Sequence, residues 1–128
     1  MHHSHRRGTT REIGILYENK AEAYLRHQQY LILEKNVFYR WGEIDLVAVD
    51  VEAGELVFVE VRARMEGAMV KAMETITHHK QLRLRRAINT YLVSPQYERL
   101  DLKLSGARID LIAFEGEVIS HFKNFISG

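Results

Sequence analysis

Cysteine is absent from this chain of 128 residues. Its absence excludes disulfide bonds and thiolate metal sites, and it favours a reducing compartment. No apolar run approaches the ~18–20 residues that a membrane-spanning helix needs. The basic N-terminus also lacks an apolar signal core. We therefore expect a cytoplasmic protein that has no membrane partner.

An excess of charge of one sign is also lacking. The chain has 18 Lys and Arg against 17 Asp and Glu, which gives a formal net charge of +1. Overall charge therefore does not indicate nucleic-acid binding, and any basic surface must be local. The 46% of hydrophobic residues is ordinary for a globular protein. We predict a flexible N-terminal tail over residues 1–8 and a single domain over residues 9–128.

Several well-known chemical motifs are missing. The sequence contains no phosphate-binding GxxxxGK[ST] loop, no GxGxxG fingerprint and no GxSxG nucleophile elbow. It has neither HExxH nor paired CxxC, which would indicate zinc. The adjacent His78 and His79 diverge by about 100° on a helix and are poorly placed to chelate one ion.

Residues 41–62 contain two runs rich in Val, Ile, Leu and Phe, and we predict that they form a β-hairpin. The turn lies within residues 50–55 and contains a glycine. A hairpin centred between residues 52 and 53 places Asp45 opposite Glu60 and Glu43 opposite Arg62. Because side chains alternate along a strand, all four are expected on one face.

Two interpretations of these charges remain open from the spacing alone. Opposed carboxylates with Cβ atoms ~4.5–5.5 Å apart repel each other, so they share a proton, pair with a cation or bind a metal. Mg²⁺ binds a few carboxylates together with waters and phosphate oxygens, which favours phosphate chemistry. Alternatively, Arg62 neutralises Glu43 and Glu60 and the group is only structural.

The rest of the chain predicts an α/β fold in which helices flank a mixed central sheet. A capping-box pattern predicts a helix from about residue 10, and a longer apolar periodicity predicts a second helix that ends before Pro95. Arg108 and Asp110 lie two residues apart in a strand and are predicted to form a structural pair. The expected ranges are 70–93 for the second helix, 31–39, 107–114 and 118–122 for strands, and 63–68 and 94–106 for loops.

Other charged residues are candidates for the same site. Glu18 lies at the border of the apolar face of the first helix, so it either reaches the carboxylates or is simply solvated. Lys80 lies in the middle of the apolar face of the second helix, where it either aims at phosphate or extends to water. Arg83 and Arg86 belong to a basic band that contacts phosphate groups or is only solvated. Arg64 follows in the loop expected beside the carboxylates.

Several segments resemble the bacterial YraN-like proteins. The matching segments are residues 14–25, Asn36, the sequence GEIDL at 42–46, the sequence VFVEVR at 57–62, residues 76–81, residues 87–92 and residues 108–111. The resemblance implies a single nuclease-like domain with the fold of Holliday-junction resolvases and restriction endonucleases, the PD-(D/E)XK superfamily. The implied element order is αβββαββ.

The resemblance also implies an activity. It predicts a Mg²⁺- or Mn²⁺-dependent endonuclease that acts on DNA, branched or single-stranded, through a metal-activated water. Asp45 and Glu60 would hold the metal, and Glu18 would complete the site. Arg62 stands where the superfamily usually has the lysine that positions the water. Resolvase-like folds often dimerise, which implies a homodimer with Leu82 as an exposed apolar contact.

The arginine at position 62 leaves alternatives open. An arginine keeps a positive charge for phosphate but does not give up its proton in proteins. Lys80 is therefore our hypothesis for the source of a neutral amine. One alternative is a nucleic-acid-binding protein of the same fold that has lost catalysis through Arg62. Another is a small interaction domain without a role on nucleic acid.

Overall fold

Five strands form one mixed sheet, and a long helix packs on each of its faces. The structure is a computed structural model in which residues 10–64 and 77–126 are described. The elements are α1 (Thr10–His27), β1 (Tyr30–Tyr39), β2 (Gly42–Asp50), β3 (Glu55–Arg64), α2 (His78–Leu92), α3 (Pro95–Glu98), β4 (Gly106–Glu115) and β5 (Val118–Phe122). The predicted α/β class and element order are confirmed, with the short helix α3 as an addition.

The strands lie in the order β1-β2-β3-β4-β5. Neighbours are antiparallel except for β3 and β4, which are parallel. β3 and β4 are parallel because the chain crosses over between them through α2, which allows both strands to run in the same direction. In this strand order β1 is one edge of the sheet.

Apolar side chains fill the space between the sheet and each helix. On the α2 side the buried cluster contains Leu84, Ala87, Ile88 and Tyr91 of the helix together with Phe58 of the sheet. On the α1 side the buried residues include Ala21, Leu25, Leu46, Val57 and Val59. The strands β2 and β3 are therefore covered on both faces, as their continuous apolar sequences predict.

The predicted register of the central hairpin is confirmed. Leu46 lies opposite Val59 and Asp50 lies opposite Glu55, which centres the hairpin between residues 52 and 53. Gly54 closes the turn with φ +69°, a value that glycine adopts without a Cβ penalty. Asp50 Oδ1 accepts a hydrogen bond of 3.2 Å from the Ala53 N–H and stabilises the turn.

Three local predictions are wrong. Residues 63 and 64 belong to β3 and not to a loop, because β4 continues beside them as far as Glu115. The connection after α2 contains α3, which begins with Ser94 as its cap and Pro95 in its first turn. The apolar face that the sequence predicts for the first helix, from Ile13 to Leu25, is buried only in its later half, because Ile13 and Leu16 are exposed.

Some predictions fall outside the described residues. They are the tail over residues 1–8, the loop over 65–68 and the first part of the second helix, over 70–76. Within the described part, α2 begins at His78 after Thr77, whose hydroxyl accepts a hydrogen bond from the Lys80 N–H. None of the described helices combines the length and apolar character needed to cross a membrane.

A buried charge network surrounds Arg108, and its core is the predicted pair with Asp110. Arg108 Nε lies 3.0 Å from Asp110 Oδ1, and Arg108 Nη1 lies 2.9 Å from Asp50 Oδ2 and 2.8 Å from Glu55 Oε1. His121 Nε2 lies 2.7 Å from Asp110 Oδ2. Burial raises the pKa of Asp110, but its bonds to His121 and Arg108 outweigh burial and leave that pKa lowered.

We expect Asp110→Asn to lower the free energy of unfolding by about 3 kcal/mol at pH 7, because it removes one charge from a buried network. The folded-state pKa of Asp110 lies below its unfolded value. Its contribution is therefore complete above the unfolded pKa of ~3.9 and is lost as the pH falls through the folded value. Urea denaturation at pH 7 and at lower pH measures both effects.

The matched control is Asp101→Asn, since Asp101 forms an exposed pair with Lys103 at 3.6 Å. This control should change the free energy of unfolding by less than about 0.5 kcal/mol. Equal effects of the two substitutions would contradict a stabilising role for the buried network.

Candidate functional site

The strands β2 and β3 separate at Asp45. Their paired positions end at Leu46 and Val59, whereas β3 continues beside β4 to Arg64. Beyond this point the Val61 N–H donates to Asp45 Oδ2 at 2.8 Å. Ile44 packs into the cluster on the α2 side and Leu46 into that on the α1 side. The alternation of side chains between the two faces of the sheet is therefore interrupted within residues 43–46. At this point the side chain of Asp45, and not a backbone carbonyl, accepts the hydrogen bond from the Val61 N–H.

Asp45 and Glu60 nevertheless converge. Asp45 is buried, with 8% of its surface exposed. Burial raises the pKa of Asp45 well above its usual value, and the charge of Glu60 and a hydrogen bond with Glu60 raise it further. Negative charge on one carboxylate is thus unfavourable for the other, which a bound cation or a shared proton would relieve.

Arg62 supplies part of the neutralising charge. Its Nη2 lies 2.7 Å from Glu60 Oε2, and both side chains are mostly buried. Arg62 Nε is buried and has no hydrogen-bond partner among the described residues. Glu43, the other expected partner of Arg62, is exposed. Arg62 and Glu60 therefore form the ion pair that the structural interpretation expects. The buried Nε–H of Arg62 is left without an acceptor among the described residues.

Glu18 of α1 reaches the same group. It is hydrogen-bonded with Asn36 and Asp45, and burial, followed by the charge of Glu43, raises its pKa. Glu18 Oε1 is buried and has no hydrogen-bond partner in the described part of the chain. Our sequence reasoning missed the contact with Asn36. Asn36 has φ +54°, a left-handed conformation that asparagine tolerates better than most residues. An asparagine at the point where the apolar pattern of β1 is interrupted was therefore the signal in the sequence for an irregular backbone here.

The donors suit a hard divalent cation. Asp45 and Glu60 offer carboxylate oxygens, which Mg²⁺ prefers, and Mg²⁺ commonly takes one or two protein carboxylates and completes its shell with water and phosphate. No group of three or more His, Asp or Glu side chains that could hold a metal occurs within residues 10–64 and 77–126. A metal here would therefore rest on two carboxylates, and the unpartnered Glu18 oxygen would be left for a water.

Cationic side chains line the cavity above these carboxylates. The cavity measures about 470 Å³, and Arg62, Arg64, Lys80 and Arg83 border it together with Glu18, Glu43, Asp45 and Glu60. Lys80 lies in the first turn of α2, four residues before the buried Leu84, so it shares the predicted face of the helix, but its side chain is exposed. Arg86 is exposed on α2 but does not line this cavity.

Gly42 brings the β1–β2 turn against α2. A Cβ atom at this position would overlap the backbone carbonyl of Arg83. The Arg83 Nε–H donates to the carbonyl of Trp41 at 3.2 Å and fastens the same contact. Only glycine permits this approach, so Gly42 holds Arg83 at the cavity. The sequence offered no signal for this contact, because it depends on where α2 crosses the sheet.

Comparison with known proteins identifies the family. Residues 17–114 match the model of the "Uncharacterised protein family UPF0102". A UPF0102 protein of Vibrio cholerae is 37% identical over 120 residues, covering 92% of this chain and 94% of the relative. A UPF0102 protein of Marinobacter nauticus is 46% identical over 83 residues, covering 65% of this chain and 66% of the relative. The chain therefore belongs to the UPF0102 family, to which its YraN-like motifs pointed.

Proposed function

We propose that this protein is a Mg²⁺- or Mn²⁺-dependent endonuclease of the PD-(D/E)XK type that cleaves branched or single-stranded DNA in the cytoplasm. The observation that carries the proposal is the convergence of Asp45 and Glu60 beneath a rim of cationic side chains. Carboxylates that repel one another inside a cavity are typical of a cation site. A surrounding basic rim is suited to phosphate groups.

Each residue has a role in this proposal. Asp45 and Glu60 hold the metal, which when bound would polarise the phosphodiester and lower the pKa of its water. The Val61 N–H fixes the Asp45 carboxylate at 2.8 Å, so little reorganisation is needed. The unpartnered Glu18 Oε1 accepts a hydrogen bond from the attacking water. Arg62 balances the charge of Glu60 and contacts the phosphate.

Contacts with flanking phosphates complete the proposed substrate site. Lys80, Arg83 and Arg64 border the cavity and provide positive charge near the carboxylates. Arg86 lies further along α2 and would contact a longer substrate. Leu82 is exposed on the same helix, and we propose it as an apolar contact in a homodimer.

A second candidate function is nucleic-acid binding without cleavage. The ion pair of 2.7 Å between Arg62 and Glu60 favours it. A guanidinium that holds this carboxylate competes with a metal, and it does not act as a proton acceptor. Salt-sensitive binding of DNA without metal-dependent cutting would support this function over the nuclease.

We expect Asp45→Asn to reduce metal-dependent cleavage of branched or single-stranded DNA by at least about 100-fold. Asparagine keeps an oxygen for the Val61 N–H, so the fold should persist, but it lacks the charge that holds a divalent cation. Cleavage assays with Mg²⁺ and Mn²⁺, and calorimetric titration of Mn²⁺, measure the two effects. Glu52→Gln is the control, because Glu52 is an exposed carboxylate in the hairpin turn. Undiminished cutting by Asp45→Asn would reject the proposed metal ligands.

We expect Lys80→Met to slow cleavage by about 100-fold if Lys80 provides the amine that Arg62 cannot provide. Binding should weaken much less, because only one of several phosphate contacts is lost. Single-turnover cleavage and fluorescence anisotropy separate these effects. Lys103→Met serves as the control, since Lys103 is exposed and does not line the cavity. A Lys80→Met variant that cuts at the original rate would eliminate the amine role.

A further inference from the structure

Asn36 has an unusual backbone conformation for a residue inside a β-strand. Four non-glycine residues of the described chain have a positive φ, and three of them, Gln29, Asp101 and Asn124, lie in turns or connections. Asn36, with φ +54°, lies within β1. Such conformations persist only where the surrounding contacts impose them, and they cluster at functional sites. The contacts of Asn36 therefore indicate what this conformation serves.

The left-handed backbone turns two consecutive side chains toward α1. Lys35 Nζ lies 2.8 Å from Glu22 Oε1 and donates to Asn19 Oδ1 at 2.9 Å, and both acceptors belong to α1. The Asn36 side chain also bonds a residue of α1, which is Glu18. In a regular strand, consecutive side chains point to opposite faces of the sheet. The positive φ breaks this alternation and brings Asn36 to the same side as Lys35.

The break in β1 lies beside the candidate site. Val37 pairs with Ile44 in the antiparallel register of β1 and β2. Asn36, the residue before Val37, therefore lies opposite Asp45. Glu18, which is hydrogen-bonded with both Asn36 and Asp45, lines the cavity, and its Oε1 has no hydrogen-bond partner among the described residues. Asn36 thus restrains a carboxylate that keeps one oxygen available at the site.

We propose that Asn36 is a positioning residue, whose side-chain amide holds the Glu18 carboxylate so that Oε1 is aimed at the attacking water. The inference rests on the proposed function and adds a residue that acts through Glu18 without touching metal or substrate. A glutamate side chain is flexible, and a hydrogen bond to one of its oxygens limits the orientations of the other. Asn36 would therefore prepare Glu18 before the substrate binds.

The docking of α1 on the sheet does not explain the contact. Ala21 and Leu25 of α1 are fully buried against the sheet, and Lys35 adds its ion pair with Glu22. Glycine would adopt the backbone of Asn36 without a Cβ penalty, but it has no amide to offer. A side chain at a position whose backbone suits glycine favours a role for the amide itself.

The test separates the amide of Asn36 from its backbone. Asn36→Gly keeps the positive φ and removes the amide, so it should fold and lower kcat for metal-dependent cleavage of branched or single-stranded DNA about tenfold. KM for the DNA should stay within twofold, and so should the Mn²⁺ affinity from calorimetric titration, because Asp45 and Glu60 keep their contacts. Circular dichroism checks the fold.

The matched control is Asn124→Gly, the same substitution at another asparagine with a positive φ, of +51°. The Asn124 backbone N–H donates to Asp110 Oδ1 at 2.9 Å, and glycine keeps this donor. Asn124 does not line the cavity. Asn124→Gly should therefore leave kcat within twofold of the original value.

A double-mutant cycle tests whether Asn36 acts through Glu18. Glu18→Gln should lower kcat by itself, and adding Asn36→Gly to it should lower kcat no further, because the carboxylate that Asn36 positions is already lost. Urea denaturation gives a readout that does not need catalysis. The shifts in the urea midpoint caused by the two substitutions should not add, since both affect the same hydrogen bond.

The outcomes separate this inference from the proposed function. If the original protein cleaves DNA and Asn36→Gly keeps its kcat, the positioning role is overturned and the nuclease proposal is unaffected. An equal loss of kcat with and without Glu18→Gln, or additive midpoint shifts, also overturns the positioning role alone. Absence of metal-dependent cleavage by the original protein overturns both. A loss of kcat in Asn36→Gly that vanishes in the Glu18→Gln background, with Asn124→Gly unchanged, supports the inference.

Discussion

The hydrogen bond from the Val61 N–H to Asp45 is the interaction on which the candidate site depends. Strand β3 remains paired with β4 up to Arg64, but its pairing with β2 ends at Val59. A buried N–H without an acceptor would cost about 1–3 kcal/mol. Asp45 removes this cost through its side chain, and the same bond holds its carboxylate beside Glu60. The separation of two strands therefore both creates the cavity and orients its acid.

The buried charges at the two ends of the central hairpin differ in how completely their partners neutralise them. At the turn end, Arg108 contacts Asp50, Glu55 and Asp110 at 2.8–3.0 Å. Asp50 also accepts the Ala53 N–H, and although burial raises its pKa, that bond and Arg108 leave it lowered. This network is satisfied internally, which is what a structural ion cluster requires.

The open end of the hairpin is not balanced in this way. Burial and neighbouring carboxylates raise the pKa values of Asp45 and Glu18, and within the described residues Arg62 forms its ion pair with Glu60. Glu18 Oε1 and Arg62 Nε lack hydrogen-bond partners among the described residues. The two charge clusters of this sheet therefore differ in whether their buried polar atoms all have hydrogen-bond partners. Those atoms, more than the number of charges, distinguish a candidate site from a structural network.

The sequence by itself determined the features that depend on chain neighbours. Apolar strands around a glycine turn specified the register of the hairpin, and residues two apart in a strand specified the pairing of Arg108 with Asp110. The tertiary structure alone decided which distant groups join them. The contact of Glu18 with Asn36, the exposure of Lys80 and the approach of Gly42 to Arg83 depend on how α1 and α2 lie on the sheet. Helix position is set by the packing of whole faces, so no local spacing encodes it.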